Sequence, residues 1–139
     1  MVRQVMTSLQ VATRRGLTDV TGELRAFVQK SGVRAGLCTV FIRHTSASLV
    51  IQENADPSAR RDLERFLDRL VPEGDPMYEH DAEGDDDMPA HIKCALTHTS
   101  EQIPVADGDL ALGTWQGLYV WEHRDGRHRR ELAIHLLGE

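Results

Sequence analysis

Counting in steps of two from Cys38, the residues Cys38, Val40 and Ile42 share one face of an extended strand, and the next position on that face is His44. Apolar runs at residues 39–42 and 49–51 must both enter a core. Between and just after them stand His44-Thr45-Ser46-Ala47-Ser48 and Glu53-Asn54-Ala55-Asp56-Pro57. The pattern demands a sheet whose core has an imidazole, small hydroxyls, carboxylates and an amide at its rim. For His44 alone, hydrogen-bonded packing is the competing explanation. A second polar stretch, Tyr78-Glu79-His80-Asp81-Ala82-Glu83-Gly84-Asp85-Asp86-Asp87-Met88-Pro89-Ala90-His91-Ile92-Lys93, supplies what the first lacks, and the two read as parts of one site.

Residues 2–11 alternate loosely, as an edge strand does, and Arg14-Arg15-Gly16-Leu17 is expected to end it. Thr18 or Asp19 can cap a helix to Ser31, where Ser31-Gly32 stops it. Residues 36–44 read as a strand and 48–53 as its antiparallel neighbour across a tight 45–47 connection. Asp56-Pro57 starts a second helix, with Leu63, Phe66, Leu67 and Leu70 as one apolar stripe and Pro72 as its end. Residues 73–87 have no apolar period and form a long surface loop, a length that is often functional. A short helix is expected over 89–96, then strands over 101–105, 109–114, 117–122 and 129–137, with Asp107-Gly108 and Asp125-Gly126 as turns. The sum is one α+β domain over residues 1–139: a mostly antiparallel sheet of six to eight strands with two main helices.

The formal charge of −6 argues against nonspecific nucleic-acid binding. No apolar run approaches the roughly 20 residues of a membrane span, and the N-terminus lacks the apolar stretch of a signal peptide, so cytoplasm is the expected compartment. Cys38 and Cys94 make no Cys-x-x-Cys pair and are expected to be reduced core residues.

Imidazoles beside carboxylates suit zinc, manganese or iron, and carboxylates alone suit magnesium. On a helix, His91 and Cys94 would share a face within reach of one ion. Asp56 is explained by capping, which leaves Glu53 as the better acid–base or ligand candidate. No Ser–His–Asp order is present. Thr45, Ser46 and Ser48, with the amides Asn54 and Gln116, are candidates for contacting an anionic ligand. Gly113-Thr114-Trp115-Gln116-Gly117 permits either close backbone approach to a ligand or a bend in the sheet with a packed Trp. Arg124 offers a forked donor to phosphate or carboxylate, or a surface pair with Glu122.

With these motifs in hand (His44-Thr45-Ser46-Ala47-Ser48-Leu49, Glu53-Asn54-Ala55-Asp56-Pro57, Tyr78-Glu79-His80, Glu83-Gly84, Asp86-Asp87-Met88-Pro89, His91-Ile92-Lys93, Gly113-Thr114-Trp115-Gln116-Gly117 and Glu122-His123-Arg124), the chain resembles the YjbQ family over almost its whole length. That family is also called UPF0047, or the secondary thiamine-phosphate synthase family. Cys94, His98 and Asp109 depart from its pattern.

The resemblance implies a compact α+β fold, a homotrimer, and an activity joining a hydroxymethylpyrimidine diphosphate to a thiazole phosphate. It makes His44, His80 and His91 the ligands of a divalent metal, zinc or magnesium. Lys93 or Arg124 would then neutralise a departing diphosphate, with Glu53 or Glu83 assisting at the metal and Trp115 or a carboxylate stabilising a cation-like carbon. The substrate would be a small phosphorylated molecule. A non-catalytic metal- or anion-binding trimer and a metal-dependent phosphoester hydrolase are the alternatives.

Overall fold

In the computed structural model, which describes residues 1–139, the order of elements is β1 (Arg3–Asp19), α1 (Thr21–Ser31), β2 (Gly36–Ile42), β3 (Ala47–Glu53), α2 (Pro57–Leu70), α3 (Asp87–Leu96), β4 (Ser100–Ala106), β5 (Asp109–Leu110) and β6 (Gln116–Gly138). Six strands form one antiparallel sheet in the order β1-β6-β2-β4-β5, with β3 also paired to β6. It is the single α+β domain the sequence predicts, with three helices.

β6 is the spine. The sequence predicts two strands here with a turn at Asp125-Gly126. Instead 23 residues run on as one strand. Arg14 pairs with Arg127 and Gly16 with Glu122, so residues 123–126 bulge out opposite Arg15 alone. Asp125-Gly126 is therefore part of a wide bulge that bends the strand, with Gly126 at φ 81°, and not a hairpin turn. β1 correspondingly continues past Arg14-Arg15-Gly16-Leu17 to Asp19, whose carboxylate accepts the Thr21 N–H at 2.8 Å and so delays α1.

A second correction concerns β2 and β3. They do not form a hairpin. Both pair antiparallel with β6, β2 along residues 132–138 and β3 along 116–122, so they lie end to end on the same side of it. The connection at 43–46 faces the β6 bulge. The core lies on the face covered by α1: Val20, Leu24 and Val28 pack with Cys38, Val40, Ile42, Leu118, Val120, Leu132, Ile134 and Leu136. Each such side chain contributes about 1.5–3 kcal/mol on burial.

α2 starts as expected, the Asp56 carboxylate capping Ser58 N–H at 2.9 Å ahead of Pro57. Its stripe is narrower than predicted, because Leu67 is buried while Phe66 and Leu70 are more than half exposed. α3 begins at Asp87, two residues early, with Pro89 inside its first turn, where a missing N–H costs nothing. β5 is only two residues, after the Asp107-Gly108 turn at φ 53° and 78°. Both cysteines are free and buried, and burial pushes the Cys38 thiol up to about 11. No helix is long and apolar enough to cross a membrane.

Where β2 gives way to β3, the ladder is replaced by side chains. Arg130 donates through Nε to Glu122 Oε1 at 2.7 Å and through Nη2 to Glu122 Oε2 at 2.5 Å. Thr13 Oγ1 donates to the same carboxylate at 2.6 Å, and Arg130 Nη2 reaches Ser46 Oγ at 3.0 Å. Glu122 is 1 % exposed and Arg130 7 %. Removing one member strands the other's charge in the interior. Glu122→Gln should therefore lower unfolding free energy by about 3–5 kcal/mol, measured by urea denaturation, and Glu122→Gln/Arg130→Met should recover part of the loss. Equal stability of Glu122→Gln and the parent would remove this pair from the account.

Candidate metal centre

Asp87 and His91 stand four residues apart on α3, hence on one face of it. The loop 73–87 brings His80 to the same face. His80 Nε2 lies 2.6 Å from Asp87 Oδ2, and His91 Nε2 lies 3.3 Å from that same oxygen. The two rings are edge to face with centroids 5.3 Å apart. One ligand atom from each of the three residues falls within 4.8 Å of the others. Glu83 Oε2, 3.3 Å from His80 Nε2, is a fourth donor at the rim.

The loop is held in place by the β6 bulge. Arg124 reaches Asp86 Oδ2 through Nε at 3.1 Å, Asp87 Oδ1 through Nη1 at 3.2 Å and the Glu83 carbonyl through Nη2 at 2.8 Å. The Asp125 N–H adds a 2.9 Å bond to Asp86. Burial disfavours a charged Asp87, 3 % exposed, but the His80 hydrogen bond and the charges of Arg124 and His91 outweigh it and hold the carboxyl below its ordinary value.

The tautomer of His91 is fixed by its neighbour. Its Nδ1 lies 3.0 Å from the Thr45 carbonyl oxygen, which can only accept, so Nδ1 carries the proton. In the neutral ring Nε2 is then unprotonated, 3.3 Å from Asp87 Oδ2. A ring nitrogen this close to a carboxylate is favoured by a proton on His91 or by a metal ion between the two groups. A backbone carbonyl orienting a histidine through its other nitrogen is the usual support of a metal ligand.

The remaining candidates from the sequence are distributed as follows. His44 is not in this group. Its Nε2 accepts the Glu131 N–H at 2.7 Å, and the Arg130 guanidinium lies 3.4 Å from Nδ1. Burial, then Arg130, lowers its pKa and keeps it neutral. Thr45 contributes its carbonyl to His91, and Ser46 its hydroxyl to Arg130. Cys94, expected to face the ion with His91, instead directs its thiol at the Ala47 carbonyl at 3.3 Å, and burial raises its pKa. Lys93 is 2 % exposed and bonds Asp68 at 2.6 Å. Ser48 is fully buried on His123 Nε2 at 2.9 Å, with Thr97 Oγ1 2.6 Å away.

Glu53, Asn54, Trp115 and Gln116 lie at the opposite end of β3, roughly 20 Å from Ala47 at the rise of an extended strand. There Asn54 Nδ2 donates to the Thr114 and Gln116 carbonyls at 3.0 and 3.2 Å, and Glu53 Oε2 accepts the Ala55 N–H at 3.0 Å. Gln116 Oε1 takes the Gly113 N–H at 2.8 Å, and Trp115 is 65 % exposed. Within one chain the named residues thus fall into two groups.

The model of the YjbQ family, described as UPF0047 protein YjbQ-like, matches residues 6–139. The chain belongs to the YjbQ (UPF0047) family. A UPF0047 protein of Synechocystis is 55% identical over 138 residues, covering 99% of this chain and 94% of the relative. The UPF0047 protein YjbQ of Escherichia coli O157:H7 is 45% identical over 129 residues, 92% of this chain and 93% of its own. Among solved structures, a YbjQ-like protein of unknown function from Sulfolobus solfataricus P2 superposes with a TM-score of 0.91 at 26% identity, covering 100% of both chains. An uncharacterised YjbQ/UPF0047 protein of Clostridium acetobutylicum gives 0.81 at 39%, covering 95% of this chain and 98% of its own.

Asp87 was missed as a candidate ligand, although Asp87-x-x-x-His91 on a helix is a readable signal. His123 carries no such local signal, since its side-chain partner Ser48 is 75 residues away. It is 2 % exposed, and burial first, then the Lys93 charge, lowers its pKa to about 3. Between pH 6.5 and 3 the unfolded chain takes up a proton that folded His123 refuses, so stability falls as pH falls through that window. The slope for this group is at most about 1.4 kcal/mol per pH unit. His123→Phe should flatten the fall in urea midpoint between pH 7 and 5, with His44 keeping a residue of it. An unchanged slope would show that His123 does not set the acid limit.

Proposed function

We propose that the YjbQ-family site formed by His80, Asp87 and His91 holds a divalent metal ion and serves an enzyme acting on a small phosphorylated molecule. The observation that carries the proposal is the pair of imidazole Nε2 atoms within 3.3 Å of one oxygen of a carboxylate that is 3 % exposed, with the far nitrogen of His91 fixed by Thr45. Two imidazoles and a carboxylate make zinc the first candidate, ahead of magnesium, which prefers oxygen. Glu83 or water would complete the set. When bound, such an ion supplies Lewis-acid stabilisation of phosphoryl charge or lowers the pKa of water.

This chain's own residues would do the rest. Asp87 and the Thr45 carbonyl orient the imidazoles. Arg124 keeps the loop 73–87 against the helix while sharing Asp87, and so tunes the charge the ligands present. Substrate polarity favours a compact phosphorylated metabolite over nucleic acid, given the charge of −6.

The finer reading, thiamine-phosphate formation from a hydroxymethylpyrimidine diphosphate and a thiazole phosphate, is supported by the family resemblance and by this donor set. We place the protein in the cytoplasm and assign it a homotrimer. What supports self-association is the exposed outer sheet face around Leu37, Phe41, Leu137 and Met6, all more than a third exposed.

Purified protein should carry about one divalent ion per chain by elemental analysis. His80→Ala and His91→Ala should each weaken retention by at least about tenfold and reduce thiamine-phosphate formation in step. Full metal content in both variants would refute the metal site. Full content with no thiamine-phosphate formation in the parent would refute the substrate and leave the site.

A further inference from the structure

Three arginines stand apart from every ion pair described so far. Arg14 and Arg127 are direct register partners on β1 and β6, and Arg129 faces Ala12 two positions on. Strand alternation puts all three on the outer sheet face, and all are exposed. Their neighbours on the same strands are paired: Arg15 with Asp68, Glu73 and Asp125, Arg124 with Asp86 and Asp87, and Arg130 with Glu122. Arg14, Arg127 and Arg129 make no salt bridge, in a chain with 22 acidic residues to 16 basic. Glu131, the next outward carboxylate on β6, is held by Arg43 at 3.2 Å.

Like charges directly opposite on an antiparallel pair repel, so this arrangement costs stability unless an anion offsets it. The three guanidinium groups line a depression of about 700 Å³ together with Thr13, Thr18 and His128, within the range of small-molecule sites. The ring of His128 is fixed by a 2.8 Å bond from Nε2 to the Asp125 carbonyl, and Thr13 is fixed on Glu122. Thr13 and His128, one position along each strand, turn their side chains to the other face, so the three arginines are the charged groups of this one.

We propose that Arg14, Arg127 and Arg129 form an anion site for a small molecule carrying a diphosphate or a comparable cluster of phosphate charges. Forked guanidinium groups match phosphate oxygens two at a time. Three of them, isolated on an otherwise acidic surface, concentrate the field where a lone surface arginine would not. The site shares no residue with His80, Asp87 and His91 and stands whether or not these hold a metal.

The test is calorimetric titration of chelator-treated protein with pyrophosphate, with orthophosphate and citrate as comparison anions. The expected result is saturable binding of one pyrophosphate per chain, tighter than either comparison anion and weakening as salt rises. Arg127→Ala and Arg129→Ala should each lower affinity at least tenfold, while His80→Ala leaves it within twofold. Arg14→Gln, a milder change at an exposed position, should give the same loss if either alanine variant unfolds. Absence of saturable binding, binding that survives the Arg127→Ala/Arg129→Ala double substitution, equal affinity for citrate, or loss of binding in His80→Ala would each overturn the proposal.

Discussion

The buried pair of Glu122 and Arg130 holds the one place where the backbone ladder of this fold is broken. β6 is continuous, yet its partner on one side is not: β2 stops at Ile42, β3 starts at Ala47, and the residues between face a bulge. Backbone groups freed there need partners. Arg130 supplies them, donating to the Ser46 carbonyl at 3.3 Å and the Ser46 hydroxyl while its charge is met by Glu122. Burying both charges is costly, and well-packed apolar residues often match or exceed such a pair in stability. Here its contribution is position. It fixes residues 44–46, and from there the Thr45 carbonyl fixes His91.

That chain of constraint explains how a surface loop and a short helix can present ligands with some precision. Arg124, two residues after Glu122, clamps the acidic loop from the bulge side. The loop carries many carboxylates, but only Asp87 is deeply buried, and it is the one flanked by imidazoles. Asp86 has its pKa lowered, the Arg124 and Asp125 hydrogen bonds outweighing its own burial, and it acts as the anchor. The two adjacent aspartates therefore have separate roles set by where α3 begins.

Much of the fold was legible because it is written in local pattern. The α1 and α2 spacing, the Asp56-Pro57 start and the alternation around Cys38 all reappear in the structure. What was not legible depends on pairing. Nothing local distinguishes a β2–β3 hairpin from two strands laid end to end, since both use the same alternation, and the choice is made by the distant β6. Asp125-Gly126 carries the residues of a tight turn, and the same positive-φ preference serves a bulge equally well. Among site residues, His80 and His91 were found from composition and resemblance. The resemblance groups His44 with them, and an imidazole at a core rim looks the same in sequence whether it faces an ion or a backbone N–H. Lys93 reads as a phosphate contact in sequence because its burial on Asp68, 25 residues earlier, leaves no trace in its own neighbourhood.

The claim on which the functional account rests is that the Nε2 atoms of His80 and His91 bind one cation while His91 Nδ1 keeps its proton on Thr45. Imidazole nitrogen NMR during zinc titration of the stripped, ¹⁵N-labelled protein measures this directly. The account predicts that the Nε2 resonances of those two rings alone move to metal-bound positions at one equivalent, with His91 Nδ1 remaining protonated and His44 and His123 unmoved. Ring nitrogens of His80 and His91 that do not respond to zinc would contradict it.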